Sequence, residues 1–228
     1  MGDAGATHES SDVAGSATTL GGEGNSLVLA ADYRVTDLEV MWSLIEDRVP
    51  QLASVGAHHV VVYNSIWETG RVLVTIGIHP RQPVRELLRS PAIFELFDAA
   101  GGDDIPAVFV GEVVEKIDIT EPGSRDVPPG VIVGALAPVG DVSRLMAEVH
   151  SGLERFRLAG CRKLWVYRAL DDGHEVMILQ EIDDEATARR WIDHPDVSAE
   201  WMSAAGFGAY PTVFVGELTH VMSVDKTR

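Results

Sequence analysis

The fold is decided by a stretch that this chain carries twice, first as Gly56-Ala57-His58-His59-Val60-Val61-Val62-Tyr63 and again as Gly160-Cys161-Arg162-Lys163-Leu164-Trp165-Val166-Tyr167. The two stretches lie 104 residues apart, and the pairs Ser90-Pro91 and His194-Pro195 keep the same spacing. Near the end of each copy, Val108-Phe109-Val110-Gly111-Glu112 returns 105 residues later as Val213-Phe214-Val215-Gly216-Glu217. A repeat of this length predicts two copies of one folded unit.

Composition limits the classes of partner. The chain has 228 residues, 35 of them acidic and 18 basic, which gives a formal net charge of −17. Coulomb repulsion opposes the approach of this chain to a polyanion, so we expect no nucleic-acid partner and no anionic membrane surface. The single cysteine, Cys161, excludes an internal disulfide and a thiolate metal cluster within the chain.

The first 26 residues differ in composition from the rest. They are rich in Gly, Ala, Ser and Thr with scattered acids, a composition that cannot bury enough apolar surface to form a core. We therefore expect a disordered tail over residues 1–26. It lacks the basic start and apolar stretch of a secretory signal, and no part of the chain has the run of about 18 apolar residues that a membrane span requires. These features favour the cytoplasm.

Each copy contains the same order of secondary-structure signals: strand, helix, strand, strand, helix, strand. In the first copy Leu27 to Tyr33 is an apolar strand, Asp37 is placed to cap a helix, and Glu68-Thr69-Gly70 supplies the turn of a hairpin. This order predicts a ferredoxin-like βαββαβ unit. The predicted organisation is a first repeat over 27–119, a linker over 120–129 and a second repeat over 130–224.

Several predicted strands are apolar on consecutive residues, as in Val60-Val61-Val62. A sheet with one solvated face would alternate instead, so both faces of these sheets are predicted to be buried. Helices cover one face, and the sheet of the other copy is the simplest cover for the second. We therefore predict an α+β fold in which the two tandem repeats form one intramolecular α/β barrel of the dimeric type.

The second copy carries a family resemblance between Glu175 and Gly216, through a strand, the acidic turn Asp183-Asp184-Glu185, a helix with Ala, Arg and Trp, the break at His194-Pro195 and a Val-Phe-Val close. This pattern resembles the antibiotic-biosynthesis-monooxygenase-like group of the dimeric α/β barrel superfamily, as a tandem-repeat member, and covers residues 27–224. The resemblance implies a cofactor-independent monooxygenase acting on a small apolar or aromatic molecule. It also implies two alternatives: a non-catalytic ligand-binding or interaction protein, and a haem-binding or haem-degrading protein.

Asn64 and Trp67 are candidate site residues because they occur in the first copy only, where the second has Arg168 and Asp171. In the oxygenases that the fold resembles, an asparagine and a tryptophan near this hairpin orient an aromatic substrate and molecular oxygen. The resemblance therefore implies catalytic roles for Asn64 and Trp67. The alternative for Asn64 is an ordinary turn residue.

A base for such chemistry would come from His58, His59 or His79, because histidine has an unperturbed pKa near neutral pH. Neighbours on a strand point to opposite faces, so His58 and His59 are predicted to lie on different sides of the sheet. His58 would share its side with Asn64, which completes the predicted catalytic set His58, Asn64 and Trp67. The alternative is a histidine near the solvent-facing start of a strand.

The remaining candidates are ligand-binding residues: Tyr63, Tyr167, Trp165 and Arg168. The two tyrosines occupy equivalent positions, which also fits a packing role with a phenolic hydrogen bond. Glu112 and Glu217 are interpreted as carboxylates turned outward or towards an arginine. No two histidines have helical i,i+4 spacing with a nearby carboxylate, so we expect no metal and no cofactor. The expected partner is a small apolar or aromatic molecule, and fused barrels could also associate as a homo-oligomer.

Overall fold

The computed structural model describes residues 27–79, 89, 91, 106–120, 130–193, 203–206 and 212–224. The predicted tail, residues 1–26, lies outside them, as do residues 121–129 of the predicted linker. Ser90 and the pair His194-Pro195, at the predicted helix breaks, also lie outside the described residues. Within the described ranges, no helix is long and apolar enough to cross a membrane.

The secondary structure follows the predicted order in both halves. The elements of the first half are β1 (Leu27–Arg34), α1 (Leu38–Glu46), α2 (Val49–Ser54), β2 (Ala57–Ser65), β3 (Arg71–Ile78) and β4 (Ala107–Asp118). Those of the second half are β5 (Val131–Pro138), α3 (Val142–Ser151), α4 (Leu153–Leu158), β6 (Cys161–Ala169), β7 (Glu175–Ile182), α5 (Glu185–Asp193) and β8 (Val213–Ser223).

The eight strands form one closed barrel in the order β1-β3-β2-β8-β5-β7-β6-β4. Every neighbouring pair is antiparallel, and the two halves join at two seams, β2 with β8 and β4 with β6. Equivalent strands of the two halves therefore run in the same direction along the barrel axis. This arrangement confirms the predicted α+β barrel of two tandem repeats.

Both faces of the barrel wall are buried, as the consecutive apolar residues predicted. The outer face packs against helices, with one cluster around Met41 and Ile45 of α1 and another around Leu145 and Val149 of α3. The inside holds a third cluster, which draws on both halves: Val28, Ala30, Leu73, Phe109, Ile132, Tyr167, Ala169, Met177, Leu179 and Phe214. A filled interior of this kind ties the two halves together.

The helices begin where the sequence predicts. The Asp37 carboxylate caps α1 by accepting hydrogen bonds from the backbone N–H groups of Glu39 and Val40, at 2.9 and 3.1 Å. Asp141 caps α3 in the same way through the N–H of Arg144, at 2.8 Å. In each half the helical segment divides into two helices, near Pro50 in the first and at Gly152 in the second. Because the second break has no proline, Pro50 is not the sole cause of this division.

Candidate functional site at the β2–β8 seam

The β2–β8 seam brings together polar side chains from the two halves. Asn64 is the backbone partner of Glu217, and Val62 is the partner of His220. Val62 packs in the cluster under α1, and residues alternate between the faces of a strand, so Asn64 lies on this outer face as well. The side chain of Phe214 lies inside the barrel. Glu217 is three residues further along β8, so the alternation of side chains places it on the outer face.

His220 is held against α1. Its imidazole stacks on the Trp42 ring, with centroids 4.6 Å apart and planes 10° apart. Its Nε2 atom is buried and forms no hydrogen bond with any described residue. The carboxylate of Glu39, a largely exposed side chain, lies 3.4 Å from that nitrogen. The geometry leaves a buried imidazole nitrogen beside an aromatic ring, with an acid close enough to pair with it once it is protonated.

Asn64 and Glu217 are also without side-chain partners. Among the residues that the structure describes, none forms a hydrogen bond or an ion pair with either side chain. Glu217 is exposed and Asn64 is partly exposed. Opposite partners in an antiparallel pair have Cβ atoms about 5 Å apart, so the amide and the carboxylate are neighbours on one surface. We refer to Asn64, Glu217, His220 and Trp42 together as the seam site.

The β4–β6 seam contains the equivalent positions, and there the polar groups pair with one another. Arg168, equivalent to Asn64, donates from Nε to the Glu112 carboxylate at 3.1 Å. Glu115, equivalent to His220, lies 2.9 Å from Nε2 of His150 on α3. The prediction that the Glu112 carboxylate turns towards an arginine is thus confirmed. The β4–β6 seam therefore pairs these polar groups, whereas in the β2–β8 seam no described residue forms a hydrogen bond with the side chains of Asn64 and Glu217 or with Nε2 of His220.

The glycine of each Val-Phe-Val-Gly-Glu stretch is required by the close approach of strands at the seams. A Cβ atom on Gly216 would lie 2.7 Å from the backbone oxygen of Asn64, and one on Gly111 would lie 2.7 Å from that of Arg168. Each would also meet the ring of the phenylalanine two residues earlier. A side chain at either position would therefore push the two halves apart.

Trp67 lies in the turn after β2, beyond Asn64. The guanidinium carbon of Arg189, on α5 of the second half, lies 5.1 Å from the centroid of the indole ring. The tryptophan is 37% exposed, so this cation–π contact covers it only in part. Trp67 thus lies three residues beyond Asn64 in the chain and contacts the second half. Its catalytic role stays a prediction.

His58 and His59 do not point to opposite faces, so that prediction is wrong. The pairing of β2 with β3 shifts between Ala57 and His59, and this β-bulge interrupts the alternation of side chains. The two imidazoles meet, with their Nδ1 atoms 2.7 Å apart and their centroids 4.3 Å apart. His79 stacks on His58 with a centroid distance of 4.3 Å. Three histidine rings therefore cluster at the start of β2.

The second half fills the equivalent positions with ion pairs. Arg162 donates to Asp183 at 2.5 Å, and Lys163 donates to Glu181 at 3.1 Å. The position equivalent to Glu181 is Gly77, where a Cβ atom would lie 2.2 Å from the His59 ring. The imidazole therefore occupies the space that an acidic side chain fills in the other half. Burial lowers the pKa of His59, and the nearby Lys116 and His79 lower it further.

This histidine cluster is separate from the seam site. His58 precedes Asn64 by six residues on β2, a distance of about 20 Å along a strand. The two side chains therefore cannot contact one small substrate together, and the predicted grouping of His58 with Asn64 and Trp67 is not formed. His220, which does lie beside Asn64, was not identified from the sequence. The available signal was that His220 is equivalent in the repeat to Glu115, so the two copies differ at this position.

The predicted ligand-binding residues divide between the interior and the seam. Tyr63, Tyr167 and Trp165 pack in the cluster inside the barrel, whereas Arg168 lies outside in the β4–β6 seam. Burial raises the pKa of Tyr63 to about 12, with a further contribution from Glu181, and burial raises the pKa of Tyr167 as well. These positions fit a packing role, and their ligand-binding role stays a prediction. In the described part of the chain, no three His, Cys, Asp or Glu side chains are placed to hold a metal ion.

Comparison of the sequence with models of known families finds no match, and comparison with curated proteins finds none either. Solved structures do match. An anthrone oxidase-like protein superposes with a TM-score of 0.66 at 14% identity, covering 90% of this chain and 96% of that one. A proposed monooxygenase from Fusobacterium nucleatum has a TM-score of 0.57 at 9% identity, covering 88% and 95%. The chain has the dimeric α/β barrel fold.

A third solved structure supports the resemblance seen in the sequence. It is a ferredoxin-fold protein from Listeria monocytogenes related to antibiotic biosynthesis monooxygenases, with a TM-score of 0.50 at 11% identity, covering 87% of this chain and 96% of that chain. The predicted antibiotic-biosynthesis-monooxygenase-like fold is thereby confirmed. At these identities the likeness concerns the fold, and function has to be argued from the residues of the site.

Proposed function

We propose that this protein is a cofactor-independent monooxygenase that oxidises a small, electron-rich aromatic molecule at the seam site. One observation carries the proposal: among the described residues, none forms a hydrogen bond with the side chains of Asn64 and Glu217 or with Nε2 of His220 in the β2–β8 seam, whereas the equivalent β4–β6 seam pairs its polar groups. A buried Nε2 atom without a hydrogen bond, beside the Trp42 ring, suits a ligand better than a structural role. The likeness to an anthrone oxidase-like protein and to a proposed monooxygenase agrees with this chemistry.

The seam site offers the groups that such a reaction needs. His220 Nε2 removes a proton from an activated CH2 group of the substrate, and the Asn64 amide donates a hydrogen bond to the enolate oxygen that results. The partner positions Val62 and Asn64 lie about 7 Å apart along β2, which leaves room for one aromatic ring between the two groups. Trp42 supplies an apolar surface next to His220.

Oxygen enters after the proton has been removed. The carbanion forms a bond to O2 and, after protonation, gives a hydroperoxide, from which loss of water leaves a carbonyl group. One oxygen atom ends in the product and the other in water, and the substrate carbon supplies all four electrons. The protein therefore has to provide a base, a hydrogen-bond donor and an apolar surface.

The test is oxygen uptake by the purified protein with anthrones, which have an activated CH2 group, as probes. We expect uptake of one O2 for each ketone formed from the anthrone. Replacing His220 with Gln removes the base and should lower kcat by about 100-fold, and Asn64→Ala should also lower it. His150→Gln is the matched control, because that histidine lies in the other seam and should leave the rate unchanged.

Two outcomes would contradict the proposal. Equal rates for wild type, His220→Gln and Asn64→Ala would remove the seam site from the reaction. No oxygen uptake by wild type, together with a rise in melting temperature when the same probes bind, would favour the alternative of a non-catalytic ligand-binding protein.

A further inference from the structure

The second half contains a buried polar group that the proposed chemistry does not use. Gln180 of β7 is 8% exposed, and its Oε1 atom has no hydrogen-bond donor among the described residues. It faces the helix side of the sheet, because Val176 and Ile178 on the same face pack in the cluster under α3. The side chain therefore extends into the layer between the sheet and the helices of the second half.

The repeat shows that a polar residue is not required by the fold at this position. The equivalent residue of the first half is Ile76, which is 1% exposed and packs in the core under α1. A buried amide oxygen without a donor costs free energy that an aliphatic side chain of similar size would not. Because the described residues supply no donor, we expect Gln180 to make the free protein less stable than isoleucine would at this position.

The surroundings of Gln180 are apolar. Its backbone partners on the neighbouring strands are Val133 and Leu164. Trp191 of α5 packs against two apolar clusters, the one under α3 and the one that contains Val133 and Ala188. Ala188, one helical turn before Trp191, is small and fully buried. A single trapped water would need two to four polar partners, and the amide provides the only side-chain acceptor among these residues. An apolar molecule with one donor would satisfy Oε1 with a single hydrogen bond.

We propose that the layer around Gln180 is a second small-molecule site, for a neutral apolar molecule that carries one O–H or N–H donor, such as a phenol or an indole. The donor bonds to Gln180 Oε1, and the apolar body packs against Trp191 and its aliphatic neighbours. This site goes beyond the proposed oxidation, because it contains none of the residues of the seam site.

The test compares phenol with toluene, which has a similar shape but no donor. Binding is followed by NMR titration of the Trp191 indole and the Gln180 amide signals in the full chain. We expect wild type to bind phenol about tenfold more tightly than toluene, since toluene leaves Oε1 unpaired. Gln180→Leu should abolish this preference and raise the melting temperature, whereas the control Ile76→Leu in the first half should leave the preference intact.

Every outcome of these titrations either supports or overturns the proposed site at Gln180. A preference that survives Gln180→Leu would overturn the proposal, and so would a wild type that binds neither probe or binds both equally. Oxygen uptake is measured separately, and His220→Gln should leave the phenol preference unchanged. Failure of this site is therefore distinguishable from failure of the seam site.

Discussion

Glu181→Gln tests whether the ion pairs of Glu181, with Lys163 and, at 3.8 Å, with Arg162, stabilise the fold. Glu181 is 9% exposed, accepts a hydrogen bond from Lys163 Nζ at 3.1 Å, and accepts another from the Gly130 N–H at 3.3 Å. Glutamine retains the shape and an oxygen for Gly130 but loses the charge. A hydrogen bond between charged groups contributes about 1.5–3 kcal/mol, and Lys163 is 42% exposed, so we expect a loss of about 1.5 kcal/mol.

The assay is urea unfolding together with thermal unfolding. For a chain of this size the expected loss lowers the melting temperature by roughly 3–6 °C. A second readout is the phenol of Tyr63, whose pKa is raised by burial first and by Glu181 second, so the variant should titrate at lower pH by ultraviolet absorbance. Glu154→Gln is the control, because its ion pair with Arg157 is exposed and should leave stability unchanged. A Glu181→Gln variant as stable as wild type, with Tyr63 titrating as before, would refute the reasoning.

Two further predictions concern titration. Burial lowers the pKa of His59, so in acid the unfolded chain takes up a proton that the folded chain resists. The free energy of unfolding should therefore fall between about pH 7.5 and about pH 5.5, and less steeply in His59→Gln than in the control His150→Gln; equal slopes would contradict this. Burial raises the pKa of the Cys161 thiol to about 12, so an aromatic disulfide reagent should modify it only after unfolding. Modification of the native protein at the unfolded rate would show an accessible thiol.

The architecture could be predicted because it depends on features that repeat along the chain. Gly56 and Gly160 occupy equivalent positions with positive φ angles of 87° and 79°, a conformation that favours glycine. Asp37 and Asp141 cap equivalent helices. The consecutive valines of β2 correctly predicted a barrel wall that is buried on both faces. Each of these signals is local in sequence and appears twice, which is why the barrel could be inferred.

The candidate sites could be predicted only in part, because their contacts cross between the halves or depend on local irregularity. Asn64 was identified, but the stacking of His220 on Trp42 joins β8 to α1 across most of the chain, and neither residue signals the other. The bulge at His58 looks like continuous strand in the sequence, so the alternation rule misplaced both histidines. The repeat shows that Gln180 is equivalent to Ile76, but only the three-dimensional structure shows that no described residue donates to its Oε1 atom.

The strand order has a consequence for how this protein can vary. The sheet of each half has two edge strands. Each edge strand finds its second pairing partner in the other half, at the seams β2–β8 and β4–β6. In an assembly of two identical chains, any substitution at a seam would occur at both seams. In this single chain a substitution changes only one of the two seams. The β2–β8 seam can therefore lose its ion pairs while the β4–β6 seam retains Arg168 with Glu112 and continues to hold the barrel closed. Covalent linkage also keeps the two halves at a high effective concentration, so closure should not depend on how dilute the protein is.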